Sequence, residues 1–144
     1  MQFQRVNRTS AEKGFAVCEN RSGATVSGNY PVCFTTTSGS TDGYQVVAPA
    51  TSQVQTFAGI ADADIADAAV GLYQCYGYRD SVRIFATGSS QTIAAGIAMG
   101  PAASSNGVNS SGLKDFFGPV ISMEAIGAAV NSPGGYAKAL IKAM

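Results

Sequence analysis

Residues 71–86 read GLYQCYGYRDSVRIFA, and the period of this stretch decides the fold class. Leu72, Gln74, Tyr76 and Tyr78 alternate with Tyr73, Cys75 and Gly77, the two-residue repeat of an extended strand. After it, Val82, Ile84 and Ala86 oppose Arg83 and Phe85 in a second alternating run. Tyr78, Arg79 and Asp80 lie between the two runs and are expected to form a hairpin connection. Aromatic and β-branched side chains suit a pleated, half-buried surface, so this region predicts two paired strands.

Upstream, short strand-like runs at residues 15–19, 24–27, 30–37, 44–48 and 54–60 alternate with turn-forming residues. The breaks are Asn20 to Gly23, the polar loop SGSTDG at 38–43, and Pro49 with its Ser/Thr neighbours. Residues 61–70, ADADIADAAV, carry good helix formers with acids at the front, and predict one short helix. Downstream, residues 91–100 predict a hairpin arm turning at Ala94, Ala95 and Gly96, and residues 101–112 a small-residue loop. Residues 119–129 and 136–143 are each too short for an ordinary helix, so strands are expected, with NSPGG at 131–135 as the turn between them. Residues 1–14 are polar and aperiodic and read as an extended N-terminal arm preceding a single β-rich domain, residues 15–144.

Composition narrows the chemistry. The 144 residues contain no histidine, which excludes Ser-His-Asp and Cys-His nucleophile systems and the common zinc sites. Nine basic residues balance nine acidic ones, and 12% of the chain is charged against about 25% in typical soluble domains. Such a chain lacks the electrostatic footprint of a nucleic-acid or membrane binder, so neither partner is expected. It also lacks a signal-peptide-like leader and any apolar run near the ~20 residues of a membrane span, so a soluble protein is expected. Cys18, Cys33 and Cys75 are odd in number and lack CxxC spacing, which favours free thiols; were one bridge to form, Cys18–Cys33 would be the pair, on adjacent strands.

The remaining motifs are weak. Asp62, Asp64 and Asp67 could in principle hold a divalent cation, but calcium-loop spacing is missing, and acids at a helix start explain them better. Ser10–Lys13 and Ser111–Lys114 match Ser-x-x-Lys without its companion motifs. Asn7, Asn20 and Asn109 open glycosylation-type triplets that carry only turn chemistry. Arg79 and Arg83 near the tyrosines are too few for a base-stacking groove, so the aromatic residues are expected in the core or at a protein interface. Neither a catalytic residue nor a cofactor or metal site is expected, and the chain is read as a non-enzyme.

Four segments, in order, resemble the capsid decoration (cement) proteins of tailed phages. They are FAVCENRSGATVSGNYPVCF at 15–34, residues 57–85 with FAGIADADIADAAVGLYQCYGY at their front, residues 93–107, and residues 126–144 ending in AVNSPGGYAKALIKAM. The likeness covers residues 14–144 and lies in the order of Gly-punctuated strands, not in one motif. It implies a small β-barrel or β-tulip-like domain on the outer surface of the head, often trimeric, made in the host cytoplasm and bridging major capsid protein subunits. The alternatives are a tail- or fibre-associated module of the virion and a small ligand-binding barrel. Under the capsid reading, Phe3, Arg5, Val6 and Arg8 are the expected contacts of the arm. Tyr73, Tyr76, Tyr78 and Phe85 are the expected self-association residues.

Overall fold

The structure, a computed structural model, describes residues 12–36, 43–50, 54–85, 92–102, 107–110, 118–127 and 135–143. Within them the chain is all β, with nine strands in one sheet: β1 (Lys13–Asn20), β2 (Pro31–Phe34), β3 (Gln45–Val47), β4 (Phe57–Ala61), β5 (Val70–Ile84), β6 (Ala98–Pro101), β7 (Val108–Asn109), β8 (Val120–Ser122) and β9 (Gly135–Lys142). The sheet order is β1-β3-β2-β4-β5-β7-β6-β8-β9, and β5 additionally pairs with both β1 and β9. Those extra pairings close the sheet into two circuits that share β5. One runs β1-β3-β2-β4-β5 and returns to β1; the other runs β5-β7-β6-β8-β9 and returns to β5.

The two circuits are copies of one plan. β1–β3 and β5–β7 are the parallel pairs, and every other pairing is antiparallel. An isolated bridge joins the two long connections in each circuit, Val26 to Ile65 in the first and Ile93 to Ile126 in the second. The same loop follows Val26 and Ile93: Asn29 N–H donates to Ala61 O at 2.8 Å, and Gly96 N–H donates to Ser122 O at 2.7 Å. Both residues occupy the left-handed region, Asn29 at φ 70° and Gly96 at φ 84°, which Asn and Gly tolerate best. The chain is therefore a tandem structural repeat, with β1 to β5 corresponding to β5 to β9.

Two hydrophobic clusters follow from this plan. Cys18, Val26, Val32, Val46, Ala58, Ala61, Ile65 and Tyr73 fill the first circuit. Val82, Ile84, Ile93, Met99, Val108, Val120, Ile126, Ala137, Ala139 and Ile141 fill the second, joined there by Phe57 and Ile60 from β4. So β4 faces both clusters, and all five of its residues are buried. The halves are stacked through it as well as joined along β5.

Several expectations change. The helix over 61–70 is not formed: Ile65 bridges Val26, Ala68 adopts φ 58°, and the segment is a bridged loop. Helix propensity loses here to burial of Ile65 and to hydrogen bonds across to the β1–β2 connection. The hairpin at Tyr78, Arg79 and Asp80 is replaced by a continuous 15-residue strand, bulged between Arg79 and Val82 where it passes from one circuit to the other. Gly77 makes that passage possible at φ +100°, since a Cβ there would collide with the Glu12 carbonyl. The turn at Ala94 to Gly96 is present, but its flanks pair elsewhere, Ile93 with Ile126 and β6 with β7 and β8. The expected loop at 101–112 contains β7, and β1 begins at Lys13, inside the expected arm. Cys18 and Cys33 are not on neighbouring strands, because β3 lies between β1 and β2, and all three cysteines are buried free thiols.

Candidate interaction surface

The charged side chains singled out in the sequence are largely internal struts. Arg79 is buried at the β5 crossing, and its guanidinium donates to Asn29 Oδ1 (2.8 and 3.0 Å), Asp62 Oδ1 (2.9 Å), Gln74 Oε1 (3.1 Å) and Ala61 O (3.0 Å), among others. Gln74, itself fully buried, donates to the carbonyls of Tyr76 and Tyr78. A buried cation so completely surrounded by acceptors is a structural joint. Arg83 lies over the Tyr30 ring at 4.3 Å, a cation–π contact that joins β5 to the start of β2. Both guanidinium groups are thus engaged within the fold.

The three aspartates do not mark a helix start. Asp64 Oδ1 accepts from Gly28 N–H at 2.8 Å, and Asp67 Oδ1 accepts from Gly23 N–H at 2.9 Å, while Asp62 pairs with Arg79. Each carboxylate reaches across to fix the opposite connection or the crossing strand. Among the described residues there is no group of three His, Cys, Asp or Glu side chains placed to hold a metal. Asn20, buried, likewise binds Ala24 O and Ile65 O through Nδ2 while Oδ1 accepts from Ser22, so its triplet is a turn.

Burial disfavours the ionised forms of two thiols and one phenol. The Cys33 thiol is pushed up to about 12 by desolvation, and Cys18 is raised by the same cause with the neighbouring Cys75 adding to it. Tyr73 rises to about 12, again through burial first and Cys18 second. Thiolates are the reactive form, and a pKa of about 12 keeps Cys33 protonated at neutral pH.

The four expected self-association residues separate. Tyr73 is fully buried in the first cluster, which corrects its assignment to a surface: it points inward with Cys75, as odd-numbered neighbours on that stretch do. Tyr78 and Phe85 are half-buried; the Tyr78 hydroxyl is hydrogen-bonded to Asp80, which raises its pKa. Tyr76 alone is well exposed, and it lies beside exposed apolar residues that the sequence reading did not single out. On the paired strands β1 and β5, Val17 sits opposite Leu72, Phe15 opposite Gln74, and Glu19 opposite Val70. Phe15, Val17, Val70, Leu72 and Tyr76 are all exposed. Alternation in residues 15–19 carried the missing signal, because Phe15, Val17 and Glu19 share a face opposite the interior Cys18. The expected arm contacts Phe3, Arg5, Val6 and Arg8 lie outside the described residues.

Neither a protein-family model nor a curated protein matches the sequence.

Proposed function

We propose that this chain is a non-enzymatic virion component, a decoration protein that binds the outer surface of a phage head and bridges major capsid protein subunits. The observation that carries the reading is the division of labour among its side chains. Arg79, Asp62, Asp64, Asp67 and Asn20 are spent on internal bonds, while an outward strand face is left apolar. A domain built this way resists deformation and offers protein-binding surface in place of a reactive cleft. The order of Gly-punctuated segments shared with decoration proteins supports the same role, and on that reading each closed circuit of strands is a small barrel. The protein would be made in the host cytoplasm and act on the virion exterior, without nucleic acid, membrane or cofactor.

Co-sedimentation with undecorated heads of its own phage tests this, with expanded shells and unexpanded proheads compared. Saturable binding at a fixed ratio to capsid subunits, with bound heads surviving heat that disrupts bare ones, is the expected result. Absence of binding to both forms would overturn the proposal.

A further inference from the structure

The tandem repeat supplies an internal control for the exposed face of β1 and β5. The pair Ala61–Tyr73 in the first circuit corresponds to Ser122–Ala139 in the second. Leu72 thus corresponds to Lys138, Tyr76 to Lys142 and Val70 to Tyr136, and the Glu19–Val70 pair to Arg83–Tyr136. Opposite Lys138 lie the bulged residues Asp80 and Ser81, where the first circuit has Val17 opposite Leu72. The same ladder position is therefore lysine, aspartate and serine in one half and valine and leucine in the other. Strand geometry does not require apolar residues outside at positions 17, 72 and 76, since the second half folds the same way with polar or charged residues there; Val70 alone keeps an exposed apolar counterpart, Tyr136. The apolar set in the first half is suited to being covered.

Phe15, Val17, Val70, Leu72 and Tyr76 are each between 42% and 57% exposed. Together they offer on the order of 450 Å² of apolar surface, comparable with the largest patch on a typical monomer. A standard interface takes about 800 Å² from each partner, roughly 56–58% of it non-polar. The patch matches the apolar share of one such half-interface. The five side chains stand on the face of the β1–β5 ladder and not along a strand edge, so contact made through them is face to face.

We infer that this face of β1 and β5 is a self-association surface whose occupant is the same face of a second copy. A two-fold axis near Val17 and Leu72 sets apolar side chains against apolar side chains, as isologous contacts require. With that axis perpendicular to the strands, the Lys13 end of one ladder meets the Glu19 end of the other. Glu19 already contacts Arg21 at 3.3 Å, so these ends give alignment more than affinity. The chain's nine basic and nine acidic residues cancel, and so offer no net repulsion between copies.

The inference is independent of the capsid reading and is tested without heads. Sedimentation velocity of the full chain over a concentration series should show reversible association. Leu72→Lys, alone and combined with Val17→Ser, transfers the character of the second half to the first and should weaken association by on the order of tenfold or more. Lys138→Ser, on the corresponding face, should leave association unchanged. Circular dichroism and unfolding midpoints near wild type establish that the variants fold. A wild-type chain that stays monomeric at every concentration overturns the inference, as does a folded Leu72→Lys variant that associates as tightly as wild type. A monomeric wild type whose head binding is lost in the same variant also overturns it, and assigns the face to a capsid subunit.

Discussion

At the scale of single residues, the strongest statements concern groups buried with and without compensation. Arg79 is charged, buried and surrounded by acceptors from β4, β5 and the β1–β2 connection. Arg79→Met would leave Asn29 Oδ1 and Gln74 Oε1 without this donor and Ala61 O with only the Asn29 N–H, and should cost about 3–5 kcal/mol in urea unfolding. Asp62→Asn should cost about 1 kcal/mol or less, because the Asp62 side chain is 46% exposed and water screens the pair. Equal costs for the two variants would mean that the ion pair, not the neutral acceptors, carries the joint. The buried thiol and phenol make a second prediction. Cys33 is raised from 9.0 to about 12 and Tyr73 from 10.0 to about 12, so both stay protonated in the folded chain while the unfolded chain ionises. Their contribution to stability is complete below about pH 9 and is lost as pH rises towards 12. Urea midpoints should therefore fall from about pH 9 upward, and Cys33→Ala should flatten the first part of that fall. A wild-type midpoint that held constant to about pH 11 would contradict the burial of both groups.

At the scale of elements, legibility followed local determinism. The alternation at 72–76 is a property of the backbone, and it correctly divides Tyr73 and Cys75 from Leu72 and Tyr76. Gln74 breaks the pattern because Arg79 gives it an interior partner five residues away, which no period can announce. Residues 61–70 misled for a related reason: Ala and Asp favour helix locally, but the carboxylates of Asp64 and Asp67 find N–H groups of Gly28 and Gly23, 36 and 44 residues earlier. The repeat did leave traces in the sequence. Ile60 and Ile65 recur as Ile121 and Ile126, and Thr25-Val26 recurs as Thr92-Ile93. They are sparse because only the bridge and turn positions are constrained in both copies. The long strand β5 depends most on one of its glycines. Gly77→Ala places a methyl against the Glu12 carbonyl at a positive φ, and backbone cannot yield as a side chain can. The expected cost is about 3 kcal/mol or more, with separation of β1 from β5 read as faster amide exchange in Gly14 to Val17. Gly23→Ala, in open space though also at positive φ, should cost about 1 kcal/mol and leave that exchange unchanged.

At the scale of the whole molecule, the shared strand makes the two halves unequal partners. The first circuit owns every strand it uses, since β1 to β5 lie within residues 13–84. The second circuit borrows β5, and its hydrophobic cluster borrows Phe57 and Ile60 from β4. A fragment of residues 12–86 therefore retains a closed set of pairings and its own buried cluster, and should fold with a cooperative urea transition. It would leave Phe57 and Ile60 uncovered, so it should be less stable than the full chain and bind a hydrophobic dye. A fragment of residues 87–144 lacks the strand to which β7 and β9 both attach and should remain unfolded, because the pairings left to it, β6–β7, β6–β8 and β8–β9, are too short to stand alone. Mixing the two fragments should restore the β9 pairing, detectable as dye release and a gain in β circular dichroism. In the intact chain the same borrowing couples the halves. Tyrosine fluorescence, which is weighted to the first circuit and to β5, and far-ultraviolet dichroism should report one coincident transition. Two separated transitions would show that each half closes without the other, and would remove β5 and β4 from their place as the joint between them.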